Sequence, residues 1–164
     1  MQQLLISVTG LALLAAGGAF AADFDSQVPM RDKGAATYYV DGEIHGVGKV
    51  DLMVDTGSGY TVINEETLAL LQAFDGAAYV KELSGVLADG SKMTVPVYRI
   101  AQLRIGAACT LRDVEVAVFP GKTRQILGLS ALRHAAPFIF STNPPQLVLS
   151  NCTAQAEQSG GKDS

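Results

Sequence analysis

The sequence predicts an all-β domain, and three observations carry that prediction. Glycine is abundant, 17 in 164 residues, and runs rich in Val, Ile, Thr and Tyr stand between the glycines, the pattern of short strands joined by tight turns. An Asp-Gly pair, Asp89-Gly90, lies between two extended runs, residues 79–87 and 93–100, a strong hairpin signal. The apolar run Val50-Asp51-Leu52-Met53-Val54 ends on Asp55-Thr56-Gly57, so a carboxylate leaves a strand for a glycine turn. The chain is 48% hydrophobic with a net charge of -4. That is ample material for a core and unlike a disordered chain. The mild acidity gives no electrostatic ground for a nucleic-acid partner, and the length suits one domain plus a leader.

The elements follow in order. Residues 4–16 are largely apolar and lead into Gly17-Gly18-Ala19-Phe20-Ala21, where Ala19 and Ala21 put small residues at both key positions of a signal-peptidase site. Residues 1–22 are read as a signal peptide, cut after Ala21 or Ala22, and the mature protein as periplasmic or secreted. No Lys or Arg precedes the apolar run. The competing reading is an uncleaved segment that anchors the chain to a membrane, for which the run is short against the roughly 20 residues of a span. Residues 23–35 are mostly polar and aperiodic and read as a flexible arm. A domain is expected over residues 36–152.

Within it, Thr37-Tyr38-Tyr39-Val40 marks a strand over 36–44, His45-Gly46-Val47-Gly48 a turn, and residues 49–54 the returning strand that delivers Asp55. Val62-Ile63 is a short strand. Asn64 is placed to cap a helix, with Glu65 and Glu66 where the helix dipole favours them. Leu68, Leu71 and Phe74 recur at helical spacing until Gly76. After the Asp89-Gly90 hairpin, Leu103-Arg104-Ile105 and Thr110-Leu111 flank a turn at Gly106-Ala107-Ala108, and residues 114–119 form a further strand with Glu115 on its polar side. Gln125-Ile126-Leu127-Gly128 enters a short helical stretch over 129–134. Residues 137–140 and 147–149 are closing strands joined by Asn143-Pro144-Pro145. Residues 153–164, rich in Ala, Gln, Ser and Gly, read as a disordered tail. Cys109 and Cys152 are the two cysteines. In an exported chain an even count suggests a disulfide, here tying the last strand to a central hairpin; two unpaired, partly buried thiols are the alternative.

An unpaired buried carboxylate is expensive, so Asp55 is either hydrogen-bonded or used. Asp55-Thr56-Gly57 behind an apolar strand, Ser58 and Thr61 after it, and the later Ile126-Leu127-Gly128 together resemble the retropepsin-like aspartic proteases, the single-lobed relatives of pepsin, over nearly all of residues 36–152. Among them the chain looks like the exported, bacterial-type members. The resemblance implies a closed β-barrel lobe with one or two short helices, active as a homodimer without a cofactor. It implies that Asp55 is catalytic, that Thr56 holds the two catalytic loops together across the dimer, and that Gly57 and Ser58 support the loop. Ile126, Leu127 and Gly128 would pack beneath it. Leu87, Ala88, Asp89, Gly90 and Ser91 would form a flap over an extended peptide or unfolded protein. Two departures stand out: Tyr60 beside the loop, and a flap tip without an aromatic.

The chemistry supports these roles. Amide hydrolysis by carboxylates needs one group as base for water and another as acid for the carbonyl oxygen. Two carboxyls about 3 Å apart share one proton. This chain offers Asp55 alone in that context, so a two-fold dimer would supply the second. Other readings are plainer. The triplet can be an ordinary turn. His45 and His134 lack partners at metal-ligand spacing, so no metal is assigned. Cys109 lacks a nucleophile's context, and Ser58 and Ser130 lack the Gly-x-Ser-x-Gly elbow. Three functions follow: an aspartic endopeptidase, a non-catalytic module of the same fold that binds a peptide or envelope partner, and a form whose arm over residues 23–33 must be displaced first.

Overall fold

The computed structural model describes residues 24, 26–86, 90 and 92–152. Its strands are β1 (Ser26–Pro29), β2 (Arg31–Asp32), β3 (Tyr38–Ile44), β4 (Gly48–Val54), β5 (Thr61–Asn64), β6 (Ala77–Val86), β7 (Lys92–Ile105), β8 (Cys109–Phe119), β9 (Gln125–Leu127), β10 (Phe138–Thr142) and β11 (Pro145–Leu149). Two short helices, α1 (Glu65–Gln72) and α2 (Leu129–Leu132), interrupt them, and a single 3-10 turn (Arg133–Ala135) follows α2. The predicted signal peptide and tail lie outside the described residues, as do Leu87, Ala88, Asp89 and Ser91 of the predicted flap.

The β3–β4 hairpin forms as its alternation dictates. Val40, Gly42, Ile44, Leu52 and Val54 point inward and are buried, while Asp41, Glu43 and Met53 between them face out or sit half-buried. β4 then runs parallel to β9 (Leu52↔Gln125, Val54↔Leu127), and β9 meets β5 at Val62↔Ile126. β5 runs parallel to β8, β8 pairs with β7, and β7 returns to β3 through Gly42↔Ile105 and Ile44↔Leu103. These six strands close on themselves as a barrel, with β6 and β2 extending the sheet outside the ring. A second sheet, ordered β1-β11-β10, shares the barrel's core through Val28, Leu147 and Leu149. Ile44, Leu52, Ile63, Leu103, Leu127 and Leu149 are among the fully buried side chains of the shared core.

Helix α1 starts as expected: the Asn64 side chain accepts the Thr67 N–H at 2.9 Å, and Glu65 and Glu66 occupy the first turn. The helix ends at Gln72, and Gly76 N–H donates to Leu71 O at 2.8 Å. Phe74 lies beyond the helix. Its ring packs over the backbone of Gly46 and Gly76, where any Cβ would overlap it.

Two expectations are corrected. The arm over residues 23–35 is not free from Ser26 onward: β1 pairs with β11 from Ser26↔Leu149 to Pro29↔Gln146, β2 pairs with β3, and Val28 and Met30 are buried in the core. Gln27, Arg31, Asp32 and Lys33 face solvent, while Ser26, Val28 and Met30 alternate inward. Arg31 bridges Asp41 and Asp51 at 2.7 Å each, and Lys33 pairs with Asp51. The expected breaks near Ala101 and Asp113 are also absent. β7 runs unbroken from Lys92 and β8 from Cys109, because the two pair with each other on either side of Ala101 and Asp113, through Ile100↔Val114 and Gln102↔Arg112, and the ladder carries across Asp113 although its φ is 54°. Cys109 and Cys152 are bridged, with Cα atoms 4.7 Å apart, which ties the start of β8 to the chain just after β11.

Candidate active site

The Asp55 loop leaves β4 and re-enters the barrel as β5, and β9 lies between those two strands. The loop is pinned from several sides. Asp55 N–H donates to Leu127 O at 3.1 Å, continuing the parallel ladder by one residue. Asp55 Oδ1 accepts Gly57 N–H at 2.9 Å and Asp55 O accepts Ser58 N–H at 3.2 Å, so the turn expected on the plainer reading is present. Ser58 Oγ donates to Tyr60 O at 2.7 Å, which fixes the outer half of the loop. Asp55 is half-buried, and Thr56 and Gly57 are exposed. Among the described residues, Gly57 N–H is the one donor hydrogen-bonded to the carboxylate, so Oδ2 stays open.

The predicted supporting element sits directly beneath. Leu127 and Gly128 are buried. Thr61, itself buried, accepts Gly128 N–H on Oγ1 at 3.2 Å. Leu129 N–H donates to Ser58 O at 2.9 Å. A Cβ on Gly128 would stand 2.2 Å from Tyr60 O and 3.0 Å from Ser58 O, so the two backbones meet only because residue 128 has no side chain. Gly90, the described member of the predicted flap, has a left-handed φ of 83°. It lies between Val86 and Lys92, which pair as the last register of β6 and β7.

Ser130 is the residue that sequence reasoning passed over. It was weighed only as a nucleophile. Its hydroxyl accepts Thr61 N–H at 2.8 Å and donates to Glu115 O at 2.6 Å, joining the loop, α2 and β8. Its place two residues after Gly128 was the available signal. Tyr60 has a second attachment as well. Lys81 on β6 places its Nζ 5.6 Å from the Tyr60 ring centre, and its hydrogen bond to Tyr60, followed by the charge of Glu115, raises its pKa above the ordinary lysine value. Among the described residues, no group of three or more His, Cys, Asp or Glu could hold a metal ion.

Residues 40–134 match the family described as "gag-polyprotein putative aspartyl protease". The chain belongs to this family of retropepsin-like aspartic proteases. The matched segment runs from within β3 into the 3-10 turn and so contains Asp55-Thr56-Gly57 and Ile126-Leu127-Gly128. Among solved structures, a retropepsin-like aspartic protease from Rickettsia conorii is similar at 19% identity and a TM-score of 0.52, covering 76% of this chain and 88% of that one. The likeness establishes the retropepsin-like fold. No curated protein matches the chain.

Proposed function

We propose that this retropepsin-like protein is an aspartic endopeptidase that hydrolyses extended or unfolded polypeptide as a homodimer. The observation that carries the reading is the half-buried Asp55 on a loop locked by Leu127, Gly128 and Ser58, with one carboxylate oxygen left open. A preorganised carboxyl of this kind suits general acid–base work. One Asp55 from each subunit would make the dyad: the ionised member takes a proton from water as it attacks the peptide carbonyl, and the protonated member gives its proton to the carbonyl oxygen. The exposure of Thr56 and Gly57 beside it fits a partner loop docking there.

Substrate would lie extended, held by backbone hydrogen bonds with its side chains in alternate pockets. The Cys109–Cys152 bridge suits an oxidising compartment. With the leader read from residues 1–22, it supports an exported protein, periplasmic or secreted.

The test is cleavage of a pool of unfolded peptides by protein beginning at Asp23, wild type beside Asp55→Asn, from mild acid to neutral pH. Cutting by wild type and a loss of at least about a thousandfold in Asp55→Asn is expected. Equal cutting by both would remove Asp55 from the chemistry. No cutting by either, with both folded, would leave the non-catalytic binding module.

A further inference from the structure

A cleft of about 440 Å³ opens beside the outer half of the catalytic loop, walled by Gly59, Tyr60, Arg99, Glu115, Ser130 and Arg133. Its charges are unevenly matched. Glu115 serves two cations, lying 3.6 Å from Lys81 and 3.3 Å from Arg99. Arg133, exposed on the 3-10 turn after α2, makes no ion pair among the described residues. Asp113 also lines the cleft and is likewise unpaired among them, on backbone held at a left-handed φ of 54°. Arg99 and Arg133 therefore face Asp113 and Glu115 across the cleft, beside His134, while Lys81, reaching Glu115 from outside the wall, brings the local cations to three against two carboxylates on a chain whose net charge is -4.

We propose that this cleft is a recognition subsite for an acidic side chain of the peptide substrate, read by the guanidinium of Arg133 with Arg99 beside it. The proposal rests on the protease reading in one respect, that a peptide lies along the Asp55 loop. Gly59 and Tyr60 belong both to that loop and to the cleft wall, so such a peptide passes the cleft mouth. An arginine offers a carboxylate two parallel N–H donors. The pairing of Glu115 with Lys81 and Arg99 takes the inner carboxylate out of competition. A basic side chain would meet Asp113 beside the like charges of Arg99 and Arg133, an arrangement that disfavours it. The subsite works on selection away from the scissile bond and leaves the chemistry to Asp55.

The test measures binding and cleavage separately. Short fluorescein-labelled peptide libraries, with one position in turn fixed as Glu, Gln or Lys, are titrated against folded Asp55→Asn protein by anisotropy. The same libraries are cut by wild type. At one position Glu should bind about tenfold more tightly than Gln, with the advantage shrinking as salt rises and the same rank order in cleavage. Arg133→Ala should abolish the preference, Arg133→Glu should turn it toward Lys, and Lys122→Ala, on the far surface pair with Glu66, should leave it intact. Equal binding of Glu and Gln at every position, or a Lys preference in the unmutated cleft, overturns the subsite. A Glu preference in binding without cleavage by wild type keeps the subsite and rejects the protease.

Discussion

At Gly128 a single methyl group would stand 2.2 Å from the carbonyl oxygen of Tyr60 and 2.5 Å from its carbon. Both are backbone atoms of a loop fastened at Asp55, Ser58 and Thr61, so neither moves aside as the end of a flexible side chain would. Gly128→Ala should therefore cost about 3 kcal/mol and displace the loop that carries Asp55. The expected outcome is a lower urea midpoint with an unchanged slope, together with a loss of peptidase activity larger than the stability loss alone would give at temperatures where the variant is folded. A variant as stable and active as wild type would mean that the loop and β9 can separate without consequence. Ser130 shows the limit of reading residues singly. A serine looks like a failed nucleophile in the sequence, and only the packing of α2 against β8 brings its hydroxyl between Thr61 N–H and Glu115 O.

The elements differ in how much they depend on partners, and that sets which of them were legible. The Asn64 cap, the hairpin delivering Asp55 and the Ile126-Leu127-Gly128 element are specified by adjacent residues and stand where the sequence places them. β1 and β2 were missed because four- and two-residue strands carry no periodicity of their own. They are extended because β11 and β3 offer them ladders and the core takes Val28 and Met30. The lengths of β7 and β8 escaped for a related reason, since their mutual ladder resumes at Gln102↔Arg112 beyond the irregular Ala101 and Asp113 position. Hence removing the arm should not activate the protein. A chain starting at Gly34 loses the β1 ladder, the buried side chains of Ser26, Val28 and Met30, and the pairs of Arg31 with Asp41 and Asp51 and of Lys33 with Asp51. It should lose about 3 kcal/mol or more of stability, seen as a fall in melting temperature. Full stability with raised activity would instead restore the reading of residues 23–33 as a displaceable inhibitor.

At the scale of the whole molecule, the proposed dyad needs a face on which a second copy could dock, and the β1-β11-β10 sheet offers one. β10 is one edge of that sheet, opposite β1. Its Phe138-Ile139-Phe140 run carries apolar side chains on both faces, with Ile139 46% and Phe140 37% exposed. An uncovered apolar edge invites pairing with another strand. A second copy of the same chain suits it, because an antiparallel ladder of β10 on its own mate is two-fold symmetric, as the proposed dyad would require. The edge also follows α2 and the 3-10 turn directly, so it is tied to the element beneath the Asp55 loop. Phe140 already stacks edge-on against Tyr38 at 5.5 Å, which leaves Ile139 as the position to change without disturbing the subunit. Ile139→Lys should keep the melting profile of an intact subunit, weaken dimerisation about tenfold or more, and lower specific activity at low protein concentration. Activity should then recover as concentration rises, because the dyad reforms by mass action. Sedimentation velocity and a dilution series of peptidase activity, run on the same samples, decide the matter. A variant that stays dimeric and active at every dilution would move the two-fold axis to another face of the barrel.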